Sequence, residues 1–138
     1  MAKRPRIALT KLEGEIMRIV WNAQSDAVRV RDVADALNRR RRSKPLAYNT
    51  VQTMLTILKD KGIVRLVEGP GRAHYYRARV SRDRASRHMV GELVDRLFDG
   101  RVQPLLHQLI DQGDLAPAEL EQLRQWVDDR LRDAEDDA

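Results

Sequence analysis

The sequence predicts a mainly α-helical protein with one β-hairpin, built in two parts of opposite charge. Three observations predict it. Apolar residues recur at helical spacing through most of the 138 residues, as in helices that pack by one face. Two short runs rich in β-branched and aromatic residues flank Gly69-Pro70-Gly71-Arg72, which reads as a hairpin with a glycine-rich tip. Charge is unevenly spread: residues 1–80 hold 18 Lys/Arg against 7 Asp/Glu, and residues 81–138 hold 8 against 14. The first part, at +11, seeks a polyanion, whereas the second, at −6, does not.

Lys3, Arg4 and Arg6 form a basic arm without apolar period, expected to be loose. Thr10-Lys11-Leu12-Glu13 fits a capping box, in which the Thr hydroxyl and the Glu carboxylate each satisfy an orphan amide. Leu12, Ile16, Ile19 and Val20 then carry helix one to about Trp21. Val28-Arg29-Val30 suits a short strand, and Val30, Val33, Ala34 and Leu37 suit a brief second helix. Arg39 to Arg42, with Ser43-Lys44-Pro45, reads as a loop, because Pro cannot continue a helix and biases the residue before it to an extended shape. Val51, Met54, Leu55 and Leu58 are the apolar stripe of helix three, about 47–61, closed by Gly62 with Lys59 and Lys61 near the negative end of the dipole. Ile63 to Glu68 and Ala73 to Val80 are the hairpin strands. This order is that of a winged helix-turn-helix domain, whose third helix enters the major groove of DNA while the hairpin lies along the backbone or the neighbouring minor groove.

Helix three has an unusual polar side. Asn49, Gln52, Thr53 and Thr56 occupy it, with no acid before Asp60. Asn and Gln can bond adenine bidentately, and Thr can bond base edges or place its methyl against thymine. From Ala36 to Lys59, 24 residues contain no carboxylate, yet they include Arg39, Arg40, Arg41, Arg42, Lys44 and Lys59. A phosphate backbone requires such a surface. At the hairpin tip, Arg72 between glycine and alanine can approach DNA closely, while Tyr75 and Tyr76 suit wing packing with one phosphate contact. The candidate DNA-contacting set is Thr10, Arg40, Arg41, Arg42, Lys44, Tyr48, Asn49, Thr50, Gln52, Thr53, Thr56, Lys59 and Arg72.

Residues 81–138 read as three thin helices. Ser81 caps the first, with Ala85, Met89, Leu93, Val94 and Leu97 on one side and Gly100 closing it. Pro104 opens the second, where Leu105, Leu106, Leu109 and Ile110 are apolar. Pro117 starts the third, whose Leu120, Leu123, Trp126, Val127 and Leu131 form a near-heptad seam. Asp133, Glu135, Asp136 and Asp137 are expected to form a frayed tail. Some 55 residues in three thin helices make a marginal core alone. A second copy supplies the rest: 81–138 is expected to be an all-helical dimerisation domain, with Leu93, Leu97, Leu105, Leu109, Leu120, Leu123, Trp126, Val127 and Leu131 at the interface. The expected domains are thus 1–80 for DNA and 81–138 for dimerisation.

Other chemistry finds no support. Zero Cys removes disulfides, thiolate metal sites and thiol redox reactions. His74, His88 and His107 lie 14 and 19 residues apart, without a zinc-ligand spacing. No P-loop, Rossmann glycine pattern or nucleophile elbow occurs, so neither an enzyme nor a cofactor is expected. No apolar run approaches the roughly 18 residues that span a bilayer and no signal core follows Met1, which makes the cytoplasm the expected compartment. A small-molecule-sensing winged-helix regulator would need a pocket between the halves, and few aromatics or polar anchors favour one. An architectural DNA protein would rest on the Arg run alone.

Leu9-Thr10-Lys11-Leu12-Glu13 through Ile16-Met17 to Trp21, then Val30-Arg31-Asp32-Val33, Tyr48 through Leu55, Lys61-Gly62 and the wing from Glu68 to Arg72 resemble the penicillinase repressors of the BlaI/MecI type. Asp114-Leu115-Ala116-Pro117-Ala118-Glu119-Leu120 resembles the start of that family's last helix. The resemblance implies a homodimeric repressor of a palindromic operator ahead of β-lactamase-type genes. It also implies a membrane β-lactam sensor with a metalloprotease domain, in response to which the repressor is cut in its dimerisation region. Some members are cut at an Asn-Phe pair, and the matching position here is Gln108-Leu109, the candidate cleavage position. Copper-responsive relatives carry paired cysteines, which this chain lacks.

Overall fold

The computed structural model describes residues 4–137, so Lys3 of the basic arm lies outside the described residues. The elements run α1 (Lys11–Asn22), β1 (Val28–Arg29), α2 (Val30–Arg40), α3 (Tyr48–Asp60), β2 (Val64–Val67), β3 (Tyr75–Ala78), α4 (Arg82–Leu97), α5 (Val102–Gln112) and α6 (Pro117–Asp136). The protein is mainly α, with a winged helix-turn-helix followed by helices. Two compact units divide it, one ending at Glu92 and the other beginning at Leu93.

In the first unit the capping box at Thr10 forms as the sequence requires: Glu13 N–H donates to the Thr10 hydroxyl at 3.2 Å and Thr10 N–H donates to Glu13 Oε1 at 2.8 Å. The amphipathic stripes of α1, α2 and α3 then close on one another, burying Ile16, Met17, Val33, Val51, Leu55 and Leu58 with Ile63. Gly62, at φ +81°, ends α3 in the left-handed region that suits glycine. The hairpin gains a third strand, in the antiparallel order β1-β3-β2, with Val28 and Leu66 both opposite Tyr76. Tyr76 is buried and fastens this sheet to the helical core. Trp21 Nε1 donates to the Val80 carbonyl at 2.9 Å, so the outgoing end of the wing returns to α1.

One carboxylate is buried among these apolar groups. Glu13 is 1% exposed and bonds Lys61 Nζ at 2.8 Å. The same ammonium donates to the Ala8 carbonyl at 2.9 Å, and Arg6 N–H donates to the Lys61 carbonyl at 2.7 Å. Burial pushes the Glu13 carboxyl up, but the Lys61 ammonium and the two Thr10 bonds outweigh it, and the group sits below its ordinary value of 4.5.

Several expectations are corrected here. From Arg6 the arm is fastened rather than loose, because its backbone bonds Lys61 and Ile7 is buried. Arg39 and Arg40 form the last turn of α2 instead of entering the loop, since Arg forms helix well and cations favour a helix C-terminus. Helix α5 begins at Val102, which leaves Pro104 in the first turn, where its missing N–H is harmless. Helix α6 runs through Asp136, so most of the acidic tail is helical.

The second unit has a different character. Neither α5 nor α6 has a buried residue. Pro117 and Glu119, whose carboxylate accepts the Ala116 N–H at 3.2 Å, start α6. Its local signals are sound, but its apolar side chains have no interior to enter.

The Glu13 carboxylate gives a sign to the acid limb of stability. Its pKa is lowered by folding, so its contribution is present above about pH 4.5 and is lost as pH falls through the folded value. Glu13→Gln should lower neutral-pH stability by about 3 kcal/mol, because Lys61 keeps its charge without a counter-ion. Urea titrations from pH 7 to pH 3 should show the two proteins converging on acidification.

Candidate nucleic-acid interface

Helix α3 separates its two faces cleanly. Val51, Leu55 and Leu58 are buried, while Tyr48, Asn49, Thr50, Gln52, Thr53, Thr56 and Lys59 are exposed. The Thr56 hydroxyl donates to the Gln52 carbonyl at 3.0 Å, so towards an outside group it can only accept. Asn49, Gln52 and Thr53 keep both donors and acceptors open to solvent. Ala47 precedes the helix and offers no side-chain cap, and no acid lies in the first turn. The positive end of the α3 dipole is therefore left for an outside anion.

The entry to α3 is held by a residue that the sequence reasoning passed over. Asn38 Nδ2 donates to the Leu46 carbonyl at 3.1 Å, and Leu46 N–H donates to Asn38 Oδ1 at 2.8 Å. The side-chain amide thereby acts as a peptide group that ties the end of α2 to the start of α3. An Asn near a helix end, ahead of a returning loop, is the only signal for it in the sequence. The arginine run divides accordingly. Arg41 is half-buried and donates from Nε to the Lys44 carbonyl at 3.3 Å, bracing the loop. Arg40, Arg42 and Lys44 are exposed. Thr10 is exposed too, with its hydroxyl oxygen engaged in the α1 cap.

At the wing, Tyr75 lies so close over Gly69 that a β-carbon there would collide with its ring. Gly71, at φ +75°, turns the chain in open space, and Arg72 is exposed beside it. Cations elsewhere on the unit are partly committed. Arg29 bonds Asp32 at 3.1 Å and holds that carboxyl below its ordinary range, and Arg77 lies 3.9 Å from Asp26. Arg65, directly across the ladder from Arg77, is exposed and was not anticipated.

In the second unit the expected interface residues are on the surface. Leu93, Leu97, Leu109, Leu120, Trp126, Val127 and Leu131 are exposed, and Leu105 and Leu123 are half-buried. Gln108 and Leu109 lie inside α5 rather than in a loop.

The family model for the penicillinase repressor matches residues 9–129, from the cap of α1 into α6. The chain belongs to the penicillinase repressor family. Members of this family are transcriptional repressors that bind DNA, not enzymes. No curated protein matches the chain significantly. No helix among the described residues is long and apolar enough to cross a membrane, and no group of three His, Asp or Glu among them could hold a metal ion.

Asn38→Ala removes two hydrogen bonds and strands the Leu46 amide and carbonyl. It should lower stability by about 1–3 kcal/mol, read as a shift in urea midpoint at unchanged slope.

Proposed function

We propose that the protein represses transcription as a homodimer on a palindromic operator, with α3 reading bases and with the wing, Arg40 at the end of α2 and the Arg41–Lys44 loop holding phosphates. The observation that carries this reading is the solvent face of α3. It offers Asn49, Gln52 and Thr53 from a rigid, buried-backed helix within an acid-free stretch, the chemistry of adenine and thymine readout next to a phosphate backbone. Residues 1–80 and 81–138 are proposed as the DNA-binding and dimerisation domains, although Ala85 packs with the first unit's core. A second copy would cover the apolar residues of α4, α5 and α6. The regulated genes, on this reading, are of the β-lactamase type, and a membrane β-lactam-sensing metalloprotease cuts at Gln108-Leu109 to release the operator in the cytoplasm.

Dimerisation sets the affinity in this scheme. A dimer on its specific site binds with Kd of about 10⁻⁸–10⁻¹¹ M, or about 11–15 kcal/mol. One head with half that energy has Kd near about 10⁻⁵ M, close to nonspecific binding. Loss of the helical half therefore frees the operator without touching α3.

Replacing Gln52 with Ala should cost roughly 1–3 kcal/mol on the operator and much less on random duplex, with the fold intact. Mobility shifts on the two DNAs decide this, and an equal loss on both would leave α3 as a phosphate contact only. Trp126→Asp should halve the mass seen by light scattering and weaken operator binding at least about 100-fold. A monomeric variant that still binds within a few-fold of the parent would sink the dimeric switch.

A further inference from the structure

A groove of about 590 Å³ lies between α1, the end of α2 and the loop that leads into α3. Leu12, Ile19, Leu37 and Leu46 make an apolar floor, and Lys11, Arg18, Arg40 and Arg41 stand around it with one carboxylate, Glu15. Lys11, Glu15 and Arg18 are at i, i+4 and i+7 of α1 and share one face. Among the described residues, Lys11, Arg18 and Arg40 enter no ion pair. Arg41 donates only its Nε, to the Lys44 carbonyl.

The volume falls within the range of small-molecule sites, about 300–1,000 Å³. A purely apolar ligand would leave the like charges facing one another, and an inorganic anion would leave the floor wet. A ligand with an apolar body and one anionic head satisfies both. We propose that this groove binds a small amphipathic carboxylate, its chain on Leu12, Ile19, Leu37 and Leu46 and its head among Arg18, Arg40 and Arg41. Arg40 and Arg41 are also assigned to operator phosphates under the proposed function. Resting on that reading, ligand and operator compete for the same donors, and each weakens the other by the same factor.

The test uses the full chain, with decanoate as probe and decanol and acetate as its neutral and apolar-free counterparts. Calorimetric titration should show decanoate saturating one site per chain, with both counterparts at least about tenfold weaker, a difference of about 1.4 kcal/mol. K11A/R18A removes two exposed cations outside the proposed DNA set, and Ala is a good helix former, so the fold should hold. This variant should bind decanoate at least about tenfold more weakly while binding the operator as the parent does. Decanoate at a concentration that saturates the parent should lower operator affinity of the parent about tenfold, within the usual span of such couplings, and should lower that of K11A/R18A clearly less. Equal binding of decanol and decanoate, or decanoate binding that K11A/R18A leaves intact, overturns the groove and points to the apolar faces of α4 to α6. Operator affinity that saturating decanoate does not move overturns the competition. Should the parent bind no operator at all, the proposed function fails, and the calorimetry still decides the groove.

Discussion

The first unit depends on a buried ion pair. Glu13 would be an expensive residue to bury in α1 were it not for Lys61 at 2.8 Å, at the far end of α3. The carboxylate also completes the cap of α1, and the ammonium also holds the Ala8 carbonyl. Two stretches of chain that are distant in sequence thereby meet at two charges: the arm with the first turn of α1, and Lys61 just past the last turn of α3. Apolar packing tolerates small rotations of a helix, whereas a buried pair with directional bonds does not.

Much of this was legible in the sequence because it is local. The Thr10 capping box, the stripe of α3, the glycine stop at Gly62 and the hairpin around Gly69 and Gly71 are each written within a few neighbouring residues, and each forms. What escaped is what joins distant segments. Nothing near Val28 says that it lies opposite Tyr76, and nothing near Lys61 says that its charge is turned inward to Glu13. Asn38 escaped for a related reason, since its amide stands in for a missing backbone partner eight residues away. Of the candidate interface, the α3 face and the exposed cations were readable from composition. The division of the arginine run into bracing Arg41 and solvent-facing Arg40 and Arg42 was not, because it depends on how the loop closes.

The two units answer the same problem in different ways. The first encloses its apolar residues within one chain and uses its surface for charge. The second leaves Leu109, Trp126, Val127 and Leu131 in water, each more than half exposed. Good caps and a proline at the start make such helices form, but they do not give them an interior. Apolar area of this kind is ordinarily covered by another protein surface.

The placement of Gln108-Leu109 inside α5 carries a kinetic meaning. A protease holds its substrate in an extended form, so a bond in helical backbone is cut only during moments when the helix opens. If the proposed cut at Gln108-Leu109 occurs, its rate follows how often α5 melts, more than how well either side chain fits the enzyme. Helix α5 has 11 residues and none of them buried, so a chain on its own opens it at little cost. Any contact that covers Leu105 and Leu109 raises that cost. On the proposed scheme, a chain paired with a second copy would be cut more slowly than a loose one.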